Sequence, residues 1–449
     1  MKATGVLFAA LLTSGAATAQ NNIQTSTSYG NNNRVTVEQL GRANTAIAHQ
    51  NDAAVNGGSS SGNNNEVTQT QAGIQHTAQA DQMGNRQQAI QTQLSDESRG
   101  ANRAFIRQGS TAAGSNGNYA SQFQGGFSHS AFIEQVSGAN YATQNQSGRN
   151  AYAEIYQAAG NNNRATQDQN TNVFGGTATA RQLGANNTSS QQQSVSGQSA
   201  SASVLQQGNN NSAGQQQQNA GSYMTATIGQ QGNNNAATQS QLSQGGASSA
   251  AFIQQTGNNN AADQTQSHSG AFGAVAASAT QTGNNNAATQ SQTGVLSVSA
   301  TVTQSGNRNE ATQTQASAAF AGASIQQVGN NNAATQRQQN AGFAQATIGQ
   351  DGNRNVANQR QEGEYHEAVA EQTGNRNTAI QDQQVGGFAS SPARSGNYGY
   401  ISQDANDSYA RQLQVGNSND ARTYQGARFN SSDVTQTGNG NITLVRQNR

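Results

Sequence analysis

Cysteine and tryptophan are absent from the 449-residue chain, and proline occurs only once. Without cysteine, the protein has neither disulfide bonds nor thiolate ligands for a metal ion. A disordered linker has no reason to avoid proline, whereas a chain that donates nearly every backbone N–H to a β ladder does. The scarcity of proline therefore favours β structure.

Large apolar and charged side chains are also scarce. Hydrophobic residues make up 32% of the chain and aromatic residues 5%, too few to build the cores of two or three globular domains. Charged residues make up 9%, with 21 basic and 21 acidic side chains, so neither charge-driven disorder nor a basic surface is indicated. We therefore expect a chain that is not conventionally globular and does not bind nucleic acid.

The N-terminal residues have the pattern of a secretory signal peptide. Lys2 is followed by an apolar run from Val6 to Leu12 and by the cleavage pattern Ala17-Thr18-Ala19. The apolar run is too short to cross a membrane, and no comparable run follows it. We predict residues 1–19 as the signal peptide, residues 20–449 as the exported protein, and no transmembrane segment.

A glycine recurs at intervals of 22 to 26 residues through most of the chain. The series comprises Gly160, Gly184, Gly208, Gly232, Gly257, Gly283, Gly306, Gly329, Gly352 and Gly374, followed by Gly416 and Gly438. Upstream members are Gly41, Gly62, Gly73, Gly84, Gly138 and Gly148. We interpret the 42 residues from Gly374 to Gly416 as two repeats, one of them degraded near residues 388–405. Counting by length predicts roughly 18 repeats.

Within each repeat, similar residues alternate with variable ones. The alternating set around Gly329 is Ala323, Ile325, Gln327, Asn332, Ala334, Gln336 and Gln338. A period of two over about seven residues is typical of a β-strand with one distinctive face. Each unit is therefore predicted as strand, turn, strand, turn, with a fixed turn Q-x-G-x-x-N and a second connection of variable length.

Two strands per turn of chain, facing each other through their regular sides, predict an all-β fold: a flat β-solenoid. Its interior holds alanine, isoleucine or valine together with glutamine and asparagine, whose amides bond to equivalent residues in the neighbouring rungs. Glycine and asparagine suit the fixed turn because both tolerate φ > 0. The opposite parity, for example Thr335 and Arg337, is predicted to face solvent.

The unit Gln-x-Gly-x-x-Asn-x-Ala-x-x-x-Gln resembles the curlin repeat of bacterial curli subunits. Complete matches are Gln39, Gly41, Asn44, Ala46 and Gln50, and also Gln255, Gly257, Asn260, Ala262 and Gln266. The resemblance implies that these residues form the ladder core that drives polymerisation. The predicted ladder and self-assembly residues are Gln206, Gly208, Asn211, Ala213, Gln217, Gln230, Gly232, Asn235, Gln241, Gln255, Gly257, Asn260, Gln266, Gln281, Gly283, Asn286, Gln292, Gln304, Gly306, Asn309, Gln315, Gln327, Gly329, Asn332, Gln338, Gln350, Gly352, Asn355, Gln361, Gln372, Gly374, Asn377, Gln383, Gln436, Gly438, Asn441 and Gln447.

The same resemblance implies a function and a location. It implies a secreted subunit of amyloid fibres in the biofilm matrix of a Gram-negative-type bacterium, serving adhesion and surface colonisation. The partners that it implies are further copies of the chain, a second curlin-like subunit or nucleator, and an outer-membrane secretion channel. It implies no cofactor.

Three other interpretations are open to the sequence. An enzyme or metal site is not expected, because the five histidines are scattered; His76 replaces the motif asparagine, whereas His129 and His366 stand at strand heads. A monomeric extracellular solenoid could bind ice or carbohydrate through its outer face, although Asp263 and Arg337 interrupt the threonine columns. Prion-like disorder predicts no fixed parity. Several aromatic residues lie near the variable connection: Phe252, Phe320, Phe343 and Phe388. They are expected either to pack against one another at the margin of the solenoid or to bind dyes or neighbouring fibres.

Overall fold

The computed structural model describes residues 21–52, 62–95, 100–109, 116–171, 175–197, 199–219, 223–244, 248–269, 273–385 and 396–447. The predicted signal peptide lies outside these residues, as does 386–395 of the region predicted to be degraded. The described residues form 35 β-strands and no helix, in two parallel sheets. The all-β prediction is confirmed.

The odd-numbered strands form one sheet of 18 strands. They are β1 (Ile23–Ser28), β3 (Thr45–Gln50), β5 (Thr77–Gln82), β7 (Arg103–Gln108), β9 (Ser130–Gln135), β11 (Tyr152–Ala158), β13 (Thr177–Leu183), β15 (Ala200–Gln207), β17 (Met224–Gln231), β19 (Ser248–Thr256), β21 (Ala274–Asn284), β23 (Val298–Asn307), β25 (Gly322–Asn330), β27 (Gln345–Asn353), β29 (Glu367–Asn375), β31 (Tyr398–Gln403), β33 (Asp420–Gln425) and β35 (Ile442–Gln447).

The even-numbered strands form the second sheet, of 17 strands. They are β2 (Arg34–Arg42), β4 (Glu66–Ile74), β6 (Gln88–Leu94), β8 (Tyr119–Phe127), β10 (Tyr141–Arg149), β12 (Arg164–Thr171), β14 (Thr188–Val195), β16 (Ser212–Asn219), β18 (Ala236–Ser243), β20 (Ala261–His268), β22 (Ala287–Leu296), β24 (Glu310–Ala319), β26 (Ala333–Gln339), β28 (Val356–Glu362), β30 (Thr378–Gln384), β32 (Tyr409–Val415) and β34 (Ser431–Thr437).

Each strand pairs in parallel with the strand two places along the chain, so equivalent residues stack directly. In the odd sheet, for example, Gln304 pairs with Gln327 and Gln327 with Gln350. The chain therefore winds as a flat β-solenoid of two strands per turn, as predicted, with rungs about 4.8 Å apart. We call the turns from odd to even strands edge 1 and the turns from even to odd strands edge 2.

The interior between the two sheets is narrow and is filled by the predicted parity. One column of the odd sheet contains Val302, Ile325 and Ile348, and it packs against small residues of the even sheet such as Ala311 and Ala334. All of these side chains are at most 3% exposed. The valine and isoleucine side chains of the odd sheet face alanines of the even sheet. Because alanine is small, the two sheets can lie close together, and the thin core between them excludes water.

Edge 1 has the backbone geometry that its glycine and asparagine predict. Gly329 has φ of 106° and Asn331 has φ of 58°, both in the left-handed region. The stacking of identical turns also leaves no room for a side chain, because a Cβ on Gly329 would overlap the carbonyl oxygen of Gly352 in the next rung. Glycine is thus required there for two independent reasons.

The glycine series does not stay at one edge, which corrects the sequence interpretation: upstream members such as Gly41 and Gly73, at the ends of β2 and β4, already lie at edge 2. Gly374 lies at edge 1, between β29 and β30, whereas Gly416 and Gly438 lie at edge 2, after β32 and β34. The described residues between Gly374 and Gly416 therefore contain three strands, β30, β31 and β32, which is one and a half turns. The motif fits both edges because both need the same left-handed bend. Within the region predicted to be degraded, Tyr398–Gln403 forms β31.

Candidate functional site

The interior glutamines form continuous ladders along the solenoid. In the odd sheet, Nε2 of Gln304 donates to Oε1 of Gln327 at 2.9 Å, and Nε2 of Gln327 donates to Oε1 of Gln350 at 2.8 Å. The second N–H of Gln327 donates to the backbone oxygen of Glu310, in the facing sheet, at 2.9 Å. Each amide therefore links two successive rungs and both sheets, which satisfies its buried polar atoms.

The predicted ladder residues are brought together as expected. Every predicted glutamine and asparagine from Gln206 to Gln436 is at most 3% exposed. The two C-terminal members differ: Asn441 is exposed and Gln447 half-buried, because β35 has a described strand partner on one side only, β33. Gln447 nevertheless accepts a hydrogen bond from Gln425 at 2.9 Å.

The predicted set of ladder residues, which was taken from the family motif, omits one column of glutamines. Gln290, Gln313 and Gln336 form a second column in the even sheet, with Nε2 to Oε1 distances of 2.8 and 2.9 Å between neighbours. All three are at most 1% exposed. The two-residue parity of the sequence marks this column as inward, whereas the motif leaves its position unspecified.

The motif asparagine locks the turn of edge 1 to the rungs on both sides. Nδ2 of Asn332 donates to the carbonyl of Gly352 at 2.9 Å, and Oδ1 accepts from the backbone N–H of Asn355 at 3.0 Å. Its own N–H donates to Oδ1 of Asn309 at 3.1 Å. A shorter or apolar side chain at this position leaves buried backbone groups of the next turn unpaired.

Edge 2 has an equivalent turn position, and three histidines occupy it where other rungs have asparagine. The backbone N–H of Asn102 donates to Nδ1 of His76 at 3.2 Å, and Nε2 of His76 faces the carbonyl of Ala72 at 3.1 Å. His129 and His366 make the same pair of contacts. His129 and His366 do stand directly before strands β9 and β29, as the sequence indicates, and in addition they make the contacts of the motif asparagine. An imidazole with its proton on Nε2 reproduces the donor and acceptor of the amide.

Burial keeps these three rings neutral. Desolvation lowers the pKa of His76, His129 and His366 below the ordinary value of 6.5, and the backbone carbonyl beside each Nε2 offsets only part of that shift. Within the described residues, no group of three or more histidine, aspartate or glutamate side chains is placed to hold a metal ion. The absence of a catalytic activity stays a prediction.

The outer face of the even sheet stacks its side chains in register. Asp263 aligns with Thr289, which aligns with Thr312 and then Thr335, so the threonine column is interrupted as the sequence indicates. A second outward column lies two residues further along each strand, and in it Thr314 aligns with Arg337. Neither column offers an unbroken threonine array.

An aromatic stack lies at edge 2. The rings of Phe320 and Phe343 are 4.9 Å apart, and those of Phe343 and Tyr365 are 5.1 Å apart, with nearly parallel planes. Phe252 is exposed on β19, away from this stack, and Phe388 lies outside the described residues. The stack is margin packing between rungs, since each ring covers the face of the next.

Comparison with known proteins gives no assignment: no family model matches the chain, and no curated protein matches it. In the part of the chain that the structure describes, no helix is long and apolar enough to cross a membrane.

Proposed function

We propose that the protein is a secreted structural subunit of curli-like amyloid fibres, which assembles by end-to-end stacking of its solenoid. The observation that carries the proposal is the glutamine ladder, which is continuous through the interior rungs and is broken only by Ser28, Val37 and Val434 in the terminal rungs of the described residues. Each interior rung presents to its neighbour the same donors, acceptors and backbone edge that the neighbour presents to the next. Any exposed rung is consequently a template for another copy of the chain.

The energetics of the ladder favour such templating. A net hydrogen bond contributes only about 1 kcal/mol, but leaving a buried amide unpaired costs about 1–3 kcal/mol. A rung with three inward glutamines and an asparagine therefore pairs in one register, because a slip by one residue would turn the amides outward. Exposed edge strands such as β35, where Ile442 is 80% exposed and Leu444 54%, are the surfaces at which parallel strands add.

The ladders also give the assembly a direction. Throughout the columns, Nε2 of one rung donates to Oε1 of the following rung, as in Gln206 to Gln230 and Gln230 to Gln255. Within the described residues, the first rung has one unpaired ladder oxygen, Oε1 of Gln39, and the last rung has one unpaired ladder N–H, on Gln447. Copies of the chain join head to tail, since only that arrangement pairs donors with acceptors.

Export and partners follow from the same proposal. The predicted signal peptide supports passage out of the cytoplasm, and the curlin resemblance supports an outer-membrane secretion channel and a nucleating subunit as partners. The fibres serve adhesion and the biofilm matrix at the cell surface. None of these steps requires a cofactor.

A seeded assembly assay tests the proposal. The exported chain, residues 20–449, is incubated at micromolar concentration with and without sonicated fibre seeds, followed by electron microscopy and fibre diffraction. We expect a lag that seeds abolish, unbranched fibres, and a meridional reflection at about 4.8 Å. A protein that remains monomeric for days in the presence of seeds contradicts the proposal and favours a monomeric extracellular solenoid.

A further inference from the structure

A groove of about 870 Å³ runs along edge 1 between β19 and β30. It is lined by two rows of turn residues. The inner row consists of Asn258, Asn284, Asn307, Asn330, Asn353 and Asn375, and the outer row of Asn259, Asn285, Arg308, Asn331, Arg354 and Arg376. The lining is therefore entirely amide and guanidinium.

The inner row is occupied by its own hydrogen bonds. Nδ2 of Asn307 donates to Oδ1 of Asn330 at 2.9 Å, and Nδ2 of Asn330 donates to Oδ1 of Asn353 at the same distance. The outer row is exposed, and its left-handed backbone, with φ of 56° at Arg308 and 57° at Arg354, repeats in every turn. The inner row thus forms a regular polar wall, and the outer row supplies the groups free to meet a ligand.

Two cations of the outer row are available. Arg376 is engaged by Asp407, with Nη2 of the arginine 2.8 Å from Oδ2. Arg308 and Arg354 have no side-chain hydrogen bond or ion pair among the described residues. They are two rungs apart, with Asn331 between them, which places them roughly 10 Å from each other along the axis.

We propose that this groove binds an extended acidic polysaccharide lying parallel to the solenoid axis. A pyranose ring is about as long as one rung, so a carboxylate on every second sugar meets Arg308 and Arg354 in turn, in the bidentate geometry that guanidinium groups favour. The amides of Asn285 and Asn331 can donate to and accept from the intervening hydroxyl groups. The site is separate from the ladders and from the ends at which copies stack.

A nucleic acid is a poorer match to the same groove. Single strands are held by aromatic side chains that stack on the bases, together with a dense row of cations along the phosphates. No aromatic residue lines this groove, and its two free arginines are separated by an uncharged rung. The sparse charge and the continuous amides favour a polymer with many hydroxyls and few carboxylates.

The test measures binding of fluorescently labelled hyaluronan oligosaccharides, which have a carboxylate on alternate sugars, to the full exported chain. The groove variant is Arg308→Asn with Arg354→Asn, which installs the residue that Asn285 and Asn331 already place in equivalent turns. The matched control is Arg103→Asn with Arg337→Asn, which removes two exposed arginines from the outer faces of the sheets. Labelled dextran and single-stranded DNA are the comparison ligands.

We expect hyaluronan to bind, neutral dextran not to bind, and the groove variant to lose about tenfold in affinity while the control variant is unchanged. An equal loss in the control variant would show general charge attraction and overturn the proposal. Tighter binding of single-stranded DNA than of hyaluronan, or no binding of hyaluronan at all, would also overturn it. Because the assay reads binding and not polymerisation, its failure leaves the assembly proposal standing.

Discussion

Gln327 illustrates how a single polar side chain stabilises this fold. It accepts a hydrogen bond from Gln304, donates one to Gln350 and donates another to the backbone of Glu310, and its side chain is fully buried. An apolar replacement cannot make any of these bonds. The neighbouring amides would then be buried without partners, at a cost of about 1–3 kcal/mol for each orphaned group.

We predict that Gln327→Leu combined with Asn332→Leu slows elongation from wild-type seeds and lowers the free energy of unfolding by several kcal/mol. Thr335→Ala, two residues beyond Ala333 on the outward face, should change neither quantity by more than about 0.5 kcal/mol. Elongation rates and urea unfolding curves measure both. Equal effects of the inward and outward changes would contradict the assignment of the two faces.

A second residue-scale prediction concerns the glycines. Gly329→Ala should lower the free energy of unfolding by at least about 2 kcal/mol, because alanine is strained at positive φ and its Cβ would overlap the carbonyl of Gly352. Gly349→Ala is the matched control within β27, where an added Cβ meets nothing within 4 Å. The measurement is the urea midpoint of each variant; similar losses for both would refute the stacking argument.

At the scale of strands and turns, the sequence predicts one property well and another poorly. Alternation within a strand is local, so the inward face of β25, with Ile325 and Gln327, could be identified without a structure. The edge to which a glycine turn belongs is not local, because edges 1 and 2 require the same left-handed bend. Gly416 and Gly438 were therefore placed in one series with Gly374, although they lie at the opposite edge. The sequence also does not show that a histidine ring can replace the asparagine amide. That equivalence depends on the hydrogen bonds that the ring makes with backbone groups of its own turn and of the next rung.

The histidine turns of edge 2 predict a pH dependence. The folded-state pKa values of His76, His129 and His366 are lowered by burial, whereas the unfolded chain binds protons with the ordinary value of 6.5. As the pH falls below about 6.5, the unfolded state takes up protons that the folded state does not, so stability is lost down to the lowered folded pKa values. Urea unfolding at pH 7.5 and pH 5 should show a clear loss at pH 5.

The control for this prediction is the triple variant His76→Asn, His129→Asn and His366→Asn. Asparagine preserves the donor and acceptor in each turn, as Asn44 and Asn102 do in neighbouring rungs. The carboxyl groups are common to both proteins. A loss of stability at pH 5 that persists unchanged in the triple variant would show that the histidines are not its cause.

At the scale of the whole molecule, the head-to-tail ladders predict unequal growth at the two ends of a fibre. An incoming copy meets the acceptor Gln39 beside Ser28 and Val37 at one end, and the donor Gln447 beside Val434 at the other, so the docking surfaces are chemically different. Seeds labelled in one colour and extended with protein in a second colour should show new segments of different mean length at their two ends. Segments of equal length at both ends would count against a single direction of stacking.

The overall architecture follows from the repeat length more securely than from any single motif. Roughly 18 repeats were predicted from length, and the described residues form sheets of 18 and 17 strands. Insertions in the connections make the glycine spacing an unreliable count of the repeats. Across the connection between β30 and β31, for example, paired ladder residues are 31 positions apart in the sequence, compared with the usual 22 to 26. The ladder continues across this insertion, because Nε2 of Gln372 donates to Oε1 of Gln403 at 2.8 Å.

The uniform direction of the glutamine columns has an electrical consequence. In the interior rungs of the described solenoid, the amide oxygens point toward the preceding rung and the amide N–H groups toward the following one, as in Gln304, Gln327 and Gln350. The backbone dipoles of a sheet largely cancel, whereas three columns of side-chain dipoles add as peptide dipoles do in a helix. The rod therefore has a permanent dipole along its length. Short rods in suspension turn in an applied field, and neighbouring rods lie side by side most favourably in opposite directions.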